Sequence, residues 1–437
     1  MTFLLLQFKH REVAQSRKGS ASDDISFDST LVSSYVDMDP FDVYERGSMA
    51  GCIALRGVCV SIVFSFICIF FGIYISLYRH TIDEVLSPSF RNLPFRTLHA
   101  EFAGVIAVLP AINSGKTEFL SLTLNLVVTV CTESIGFVHS VALKSALACE
   151  YRLDRNTNLR LLTAARGDRF TNPNGTICNI IMAILLIMSY VFSSLVFIPV
   201  QSDAVSPQKW WNTCIFAPPV LMLGIVLLLQ AMIAVAGISQ TRILTWSSSP
   251  LDTTAALLHD GRVFRRSGRC MHNVLHSTTY PGPRRPSNFQ PSAWQSHPSI
   301  KKIVIILWCL VFACGLWSVI ITAVWYRLFA AIEHNPPSFS IFPNEATRAV
   351  GYENDVDPDH GCPPLAWLVV FIIFIVAQGA LTLGLHCSEV IANVVRDETM
   401  WRVASMAGIK PSKNPLMVVL GSWPNIGLLV AKPVLRK

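Results

Sequence analysis

The residues best placed to do chemistry lie in a stretch where charge is otherwise absent. Glu133 is the lone ion among six long apolar blocks, and it belongs to a polar stripe of Ser121, Asn125, Thr129, Thr132, Glu133, Gly136 and Ser140. Steps of three and four put these residues on one face of a helix. Two other blocks each carry an amide, Gln230 and Gln378. Counted from Phe119, Cys214 and Pro364 at 1.5 Å per residue, Glu133, Gln230 and Gln378 share a depth of about 21–24 Å. Two readings follow. In the first, Glu133, Gln230, Gln378, Asn125 and Thr129 form an intramembrane polar site for a proton, an ion or a small solute. In the second, which the sequence favours, they hydrogen-bond between helices and hold the bundle at about 0.6–2 kcal/mol per bond. No Lys or Arg stands in any block to offset Glu133, so its carboxylate needs a cation or a protein partner if it is to stay charged. His139 lies six positions on, about 120° around the helix, and so off the Glu133 face.

Other chemistry is weaker. Gly115-Lys116-Thr117 has the end of a phosphate-binding loop, but Pro110 stands where that loop needs glycine. Cys270, His272 and His276 are close in sequence yet have no fourth ligand at a standard zinc spacing, so no metal site is assigned. Asp355, Asp357 and Asp359 alternate like the start of a calcium loop but lack its turn glycine and closing glutamate. Cys214 and Cys362 are the two cysteines expected at the outer surface and form a candidate disulfide, with two free thiols as the alternative. No nucleophile, metal set or oriented acid–base pair marks a catalytic centre, and no cofactor or nucleic-acid motif is present; an enzyme is not expected.

The elements that must position these groups are long apolar helices. The blocks run over 57–77, 119–143, 177–200, 213–240, 303–326 and 364–386, and each is long enough to cross a hydrocarbon core of about 30 Å. In the 437-residue chain, 52% of residues are hydrophobic and 14% charged, far from the composition of a soluble domain. The expected fold is all-α: a polytopic transmembrane helical bundle with six spans and a seventh hydrophobic element near the end. Residues 1–50, rich in Ser and Asp, read as a disordered cytoplasmic arm. The bundle covers 51–386, with a basic, Pro-rich cytoplasmic insertion at 241–302. Residues 387–437 read as a helix along the inner surface ending near Gly408, then an apolar run from Leu416 to Val434 broken by Gly421-Ser422-Trp423-Pro424-Asn425, either re-entrant or cut short. The apolar patch from Phe102 to Ile112 is too short to span and is expected to lie on the surface or re-enter.

Basic residues set the orientation. Of the 35, 28 fall before the first span, after the last and in alternate connections, and 7 fall in the others. Both termini are therefore expected in the cytoplasm. The opening MTFLLLQFKHRE has too short an apolar run for a signal core, so the first span directs insertion. The sequon Asn174-Gly175-Thr176 falls on the cytoplasmic side. Beyond the second span, Arg152, Arg155 and Arg160 follow a helical pattern that suits anionic lipid at about 1 kcal/mol per charge, or simple anchoring. The lipid bilayer is the one partner the sequence names.

At ESIGFVHSVALKSAL, NTNLRLLTAARG, TWSSSPLDTTAALLH and LHCSEVIANVVRDE the chain resembles a group of uncharacterised fungal multi-pass membrane proteins. The resemblance runs from the first span over most of the chain and implies no activity. It does imply a further hydrophobic segment beyond KPVLRK. From the residues themselves the expected role is a membrane scaffold or sensor, with a transporter or channel as the alternative.

Overall fold

In the bilayer a helix can be apolar around its whole circumference, because its solvent is apolar on every side and its backbone bonds are satisfied internally. The first helix, α1 (Ser48–Leu77), is of this kind, with apolar residues on all its faces. The computed structural model describes residues 48–77, 106–109, 114–150, 164–165, 172–202, 210–247, 250–261, 294, 298–329, 364–407 and 423–435, all within one compact unit, Glu45–Lys437. The other described elements are β1 (Ile106–Leu109), α2 (Ser114–Cys149), α3 (Thr176–Leu195), β2 (Phe197–Ser202), β3 (Trp210–Phe216), α4 (Ala217–Gln240), α5 (Pro250–His259), α6 (Pro298–Phe329), α7 (Pro364–Ala407) and α8 (Trp423–Leu435). Six of these helices are long and apolar enough to cross a membrane: α1, α2, α3, α4, α6 and α7.

The outer surface differs from that of a water-soluble protein. Ser61, Ser65, Asn125, Thr129 and Ser189 are fully enclosed, whereas Val60, Phe66, Phe70, Phe312, Trp317 and Val319 are exposed. The interior mixes small and polar groups with apolar side chains such as Ile135, Tyr190 and Leu227, while large apolar side chains cover the outside, as suits helices associating in lipid. Helices α1, α2, α3 and α4 form the core, with α4 packed on the other three. The α1–α4 contact is the tightest. A Cβ on Gly224 would stand 2.6 Å from the Ser65 carbonyl oxygen, and one on Gly72 would stand 2.9 Å from the Leu221 backbone nitrogen. Only glycine lets the two backbones come this close. Outside the core, α7 packs on α3, α6 packs on α7, and α8 packs on α7 and α2.

Where α1 ends, α2 begins, α3 ends and α4 begins, the chain builds a small antiparallel sheet in the order β1-β3-β2. The sheet corrects three boundaries. The surface patch yields β1; the third span stops at Leu195, with β2 taking 197–202; and the fourth starts at Ala217, after β3. Pro199 has no amide hydrogen to donate and fits edge strand β2, while the prolines at the start of α4 suit a helical first turn. The expected inner-surface helix is not separate. It continues the sixth span without a break as the 44-residue α7. Part of the insertion is also ordered: α5 opens with Pro250, with Ser247 donating to Asp252, and closes at Gly261 in the left-handed region at φ 67°.

A candidate site around Glu133 and Lys432

The α2 stripe divides in two along its length. In its first part, Thr129 returns its hydroxyl hydrogen to the Asn125 carbonyl at 2.7 Å, as a hydroxyl in an apolar medium must. Asn125 is fully enclosed, with neither amide atom partnered among the described residues. Past Thr129 the stripe faces a cavity of about 80 Å³ between α2, α3, α4, α7 and α8. Thr132, Glu133, Gly136 and His139 of α2 line it, with Asn179 and Tyr190 of α3, Gln230 of α4, Thr382, His386 and Glu389 of α7, and Lys432 of α8.

Lys432 organises the floor of this cavity. Its Nζ donates to Glu133 Oε1 at 2.5 Å and to Glu389 Oε2 at 3.2 Å. The lysine side chain is 7% exposed and the two glutamates 32% and 26%. A cation supplied by the chain itself, from outside the six spans, thus meets the need that Glu133 presents. His386 Nδ1 lies 3.9 Å from the same Glu389 oxygen. On the facing wall Thr132 gives its one hydroxyl hydrogen to the Thr129 carbonyl at 3.0 Å, so Tyr190 donates in its 2.7 Å bond to Thr132 Oγ1. His139 Nε2 sits 2.8 Å from Asn179 Oδ1. Gln230 Nε2 and Thr382 Oγ1 have no partner among the described residues, though both side chains are buried.

The sequence-derived candidates therefore separate. Glu133 and Gln230 line the cavity together. Gln378 does not; it donates from Nε2 to Ser194 Oγ at 3.1 Å and ties α7 to α3. Asn125 and Thr129 also lie off the cavity wall. His139, set apart from Glu133 by its angle, does reach it, because helices on several sides of α2 collect residues from a wide arc. Cys214 pairs in the sheet with Val108 and Ile198, while Cys362 lies outside the described residues, as do Cys270, His272, His276, Arg152, Arg155, Arg160 and the Asp355–Asp359 run. Asn174 of the sequon is buried, donating from Nδ2 to the Gly237 carbonyl and to Thr241 Oγ1 at 3.3 and 3.0 Å, where it joins α3 to α4.

Thr382, His386, Glu389 and Lys432 were missed. The α7 residues carried a signal: Gln378, Thr382, His386 and Glu389 are spaced by four, four and three, a polar stripe that closing the span at His386 cut short. Set against family models, curated proteins and solved structures, the chain matches none of them.

Proposed function

We propose that the protein is a transporter-class membrane protein that admits a proton, an ion or a small polar solute to the cavity around Glu133. One observation carries the reading: acids from α2 and α7 converge on a single lysine in a cavity that also holds polar atoms of Gln230 and Thr382 without partners among the described residues. Buried ion pairs are a poor way to gain stability, since desolvation offsets most of the attraction. Ions retained among apolar helices therefore point to use rather than to cohesion. Two carboxylates against one ammonium leave one negative charge, which a proton or a monovalent cation would neutralise.

The Lys432 bridge also favours a second reading, a scaffold or sensor in which α8 is pinned to the bundle and released by a partner. Glu133→Gln separates the two, because the amide keeps hydrogen-bonding capacity but cannot ionise. In vesicles loaded with a pH-sensitive dye, a transporter loses pH-dependent flux in this variant while still folding; full flux would remove Glu133 from any transport step.

The proposed orientation has both termini in the cytoplasm and the sheet on the outer side. Its support is the 28 to 7 division of basic residues, with the sheet in the poorer half. Arg152, Arg155 and Arg160, following α2, would then meet anionic lipid on the inner face. A sequon engineered near Asp355 should be glycosylated and one near Ser287 should not; the reverse pattern inverts the topology.

A further inference from the structure

Resting on the reading of the cavity as a solute site, we infer that its ligand is a small cation of the primary-ammonium type and that Lys432 is a tethered competitor for the same position. The side chain of Lys432 ends in a primary ammonium held by two carboxylates from different helices, at 2.5 and 3.2 Å. That is the chemistry by which a free alkylammonium ion would be recognised. Among the described residues Lys432 is the one ammonium or guanidinium on the cavity wall. It arrives on α8, a 13-residue helix that packs on α2 and α7 and leaves Trp423, Val430, Val434 and Leu435 exposed. With so little of α8 enclosed, the ion pairs are a large part of what docks it, and its departure would leave Glu133 and Glu389 facing each other.

A pair of acids alone would not define a site. The second observation is independent of charge: Gln230, 1% exposed, and Thr382, 4% exposed, line the same cavity with Nε2 and Oγ1 unpartnered among the described residues. Thr382 Oγ1 can accept from an ammonium, and Gln230 Nε2 can donate to the water that accompanies it. A cavity of about 80 Å³ has room for more than a single water, and so for a small ligand. Methylammonium with water fits; tetramethylammonium, which has no N–H to donate, does not suit the carboxylates. Divalent cations fit poorly, because calcium takes about six to eight oxygens. Among the described residues no three acidic, histidine or cysteine side chains gather to hold a metal.

The test is thermal unfolding of the purified full chain in lipid nanodiscs, titrated with methylammonium chloride against sodium and tetramethylammonium chlorides at equal ionic strength. Lys432→Ala opens the position. Its unfolding temperature should rise saturably by several degrees with methylammonium only, and Glu133→Gln in the same chain should abolish the rise. Wild type should need roughly tenfold or more of the salt, because a tethered amine acts at a high effective concentration. Should Lys432→Ala not fold, Lys432→Ala with Glu389→Gln carries the same net charge as wild type and should show a weaker, still methylammonium-specific rise. Absence of a specific shift in whichever variant folds, or equal shifts in wild type and variant, overturns the inference. The two proposals fail separately. A specific shift with undiminished flux in Glu133→Gln leaves a binding site and removes Glu133 from transport; lost flux with no shift leaves transport and removes the ammonium ligand.

Discussion

The α1–α4 contact and the α7–α8 side of the bundle are built from similar apolar helices but treat their polar groups in opposite ways. Between α1 and α4 glycines bring the backbones together, and the α1 hydroxyls bond chiefly within their own helix, Ser61 to the Gly57 carbonyl at 2.8 Å, with a longer 3.4 Å bond to the Cys131 carbonyl of α2, and Ser65 to the Ser61 carbonyl at 2.7 Å. Little polar capacity is left over there. On the other side, groups from α2, α7 and α8 meet across helices, ions included, around a cavity. Close approach and self-contained hydroxyls give cohesion; polar groups turned outward from several helices give a place for something else to bind.

The contrast can be broken most forcefully at its tight end. Gly224→Leu puts side-chain carbon against the Ser65 carbonyl and Ile69, and overpacking of this kind costs about 1–3 kcal/mol or more. Folded protein recovered from membranes should fall sharply, and a normal yield and unfolding temperature would mean that α1 and α4 are not in this contact. Lys432→Ala comes next. It strands two acids in partial burial, and a loss of about 2 kcal/mol is expected, below the full penalty for breaking a buried pair because both glutamates retain some exposure. Adding Glu133→Gln and Glu389→Gln should recover most of that loss, as a double-mutant analysis of unfolding would show.

Asn125→Leu should act in the other direction. Its amide is enclosed without partners among the described residues, and an unsatisfied buried polar group costs about 1–3 kcal/mol, so the variant should be as stable as wild type or more so. A clear loss of stability would show that Asn125 has a role in the stripe beyond its place on α2. The smallest effect belongs to Arg242→Ala. The Arg242–Asp260 bridge is 3.0 Å long, but the arginine is 56% exposed and such pairs contribute about 0–1 kcal/mol. Its unfolding temperature should barely move.

Six long helices were legible in the sequence because absence of charge over some twenty residues is a strong signal. The ends of α3 and α4 were not, because residues 197–200 and 213–216 carry no charge and run on from the spans they adjoin, and the strands pair only through contacts distant in sequence. Glu133 and Gln230 could be matched by depth. Lys432 could not be matched to Glu133 by any local rule, since 299 positions separate them and depth is undefined for a helix too short to span. His386 and Glu389 were readable as the continuation of the Gln378 face, and were missed when the span was closed at the first charged neighbourhood.

Whether the cavity is wet in the membrane bears most directly on the division between cohesive core and solute site. In a background with the native cysteines replaced, single cysteines at Asn125, Val128, Thr132, Gly136 and His139 would be exposed to a small, membrane-impermeant thiol reagent in native membranes. Labelling at 132, 136 and 139, with none at 125 and 128, is the expected result, and prior methylammonium should slow it. Uniform protection at all five positions would contradict a solute cavity and leave the polar stripe as interhelical packing.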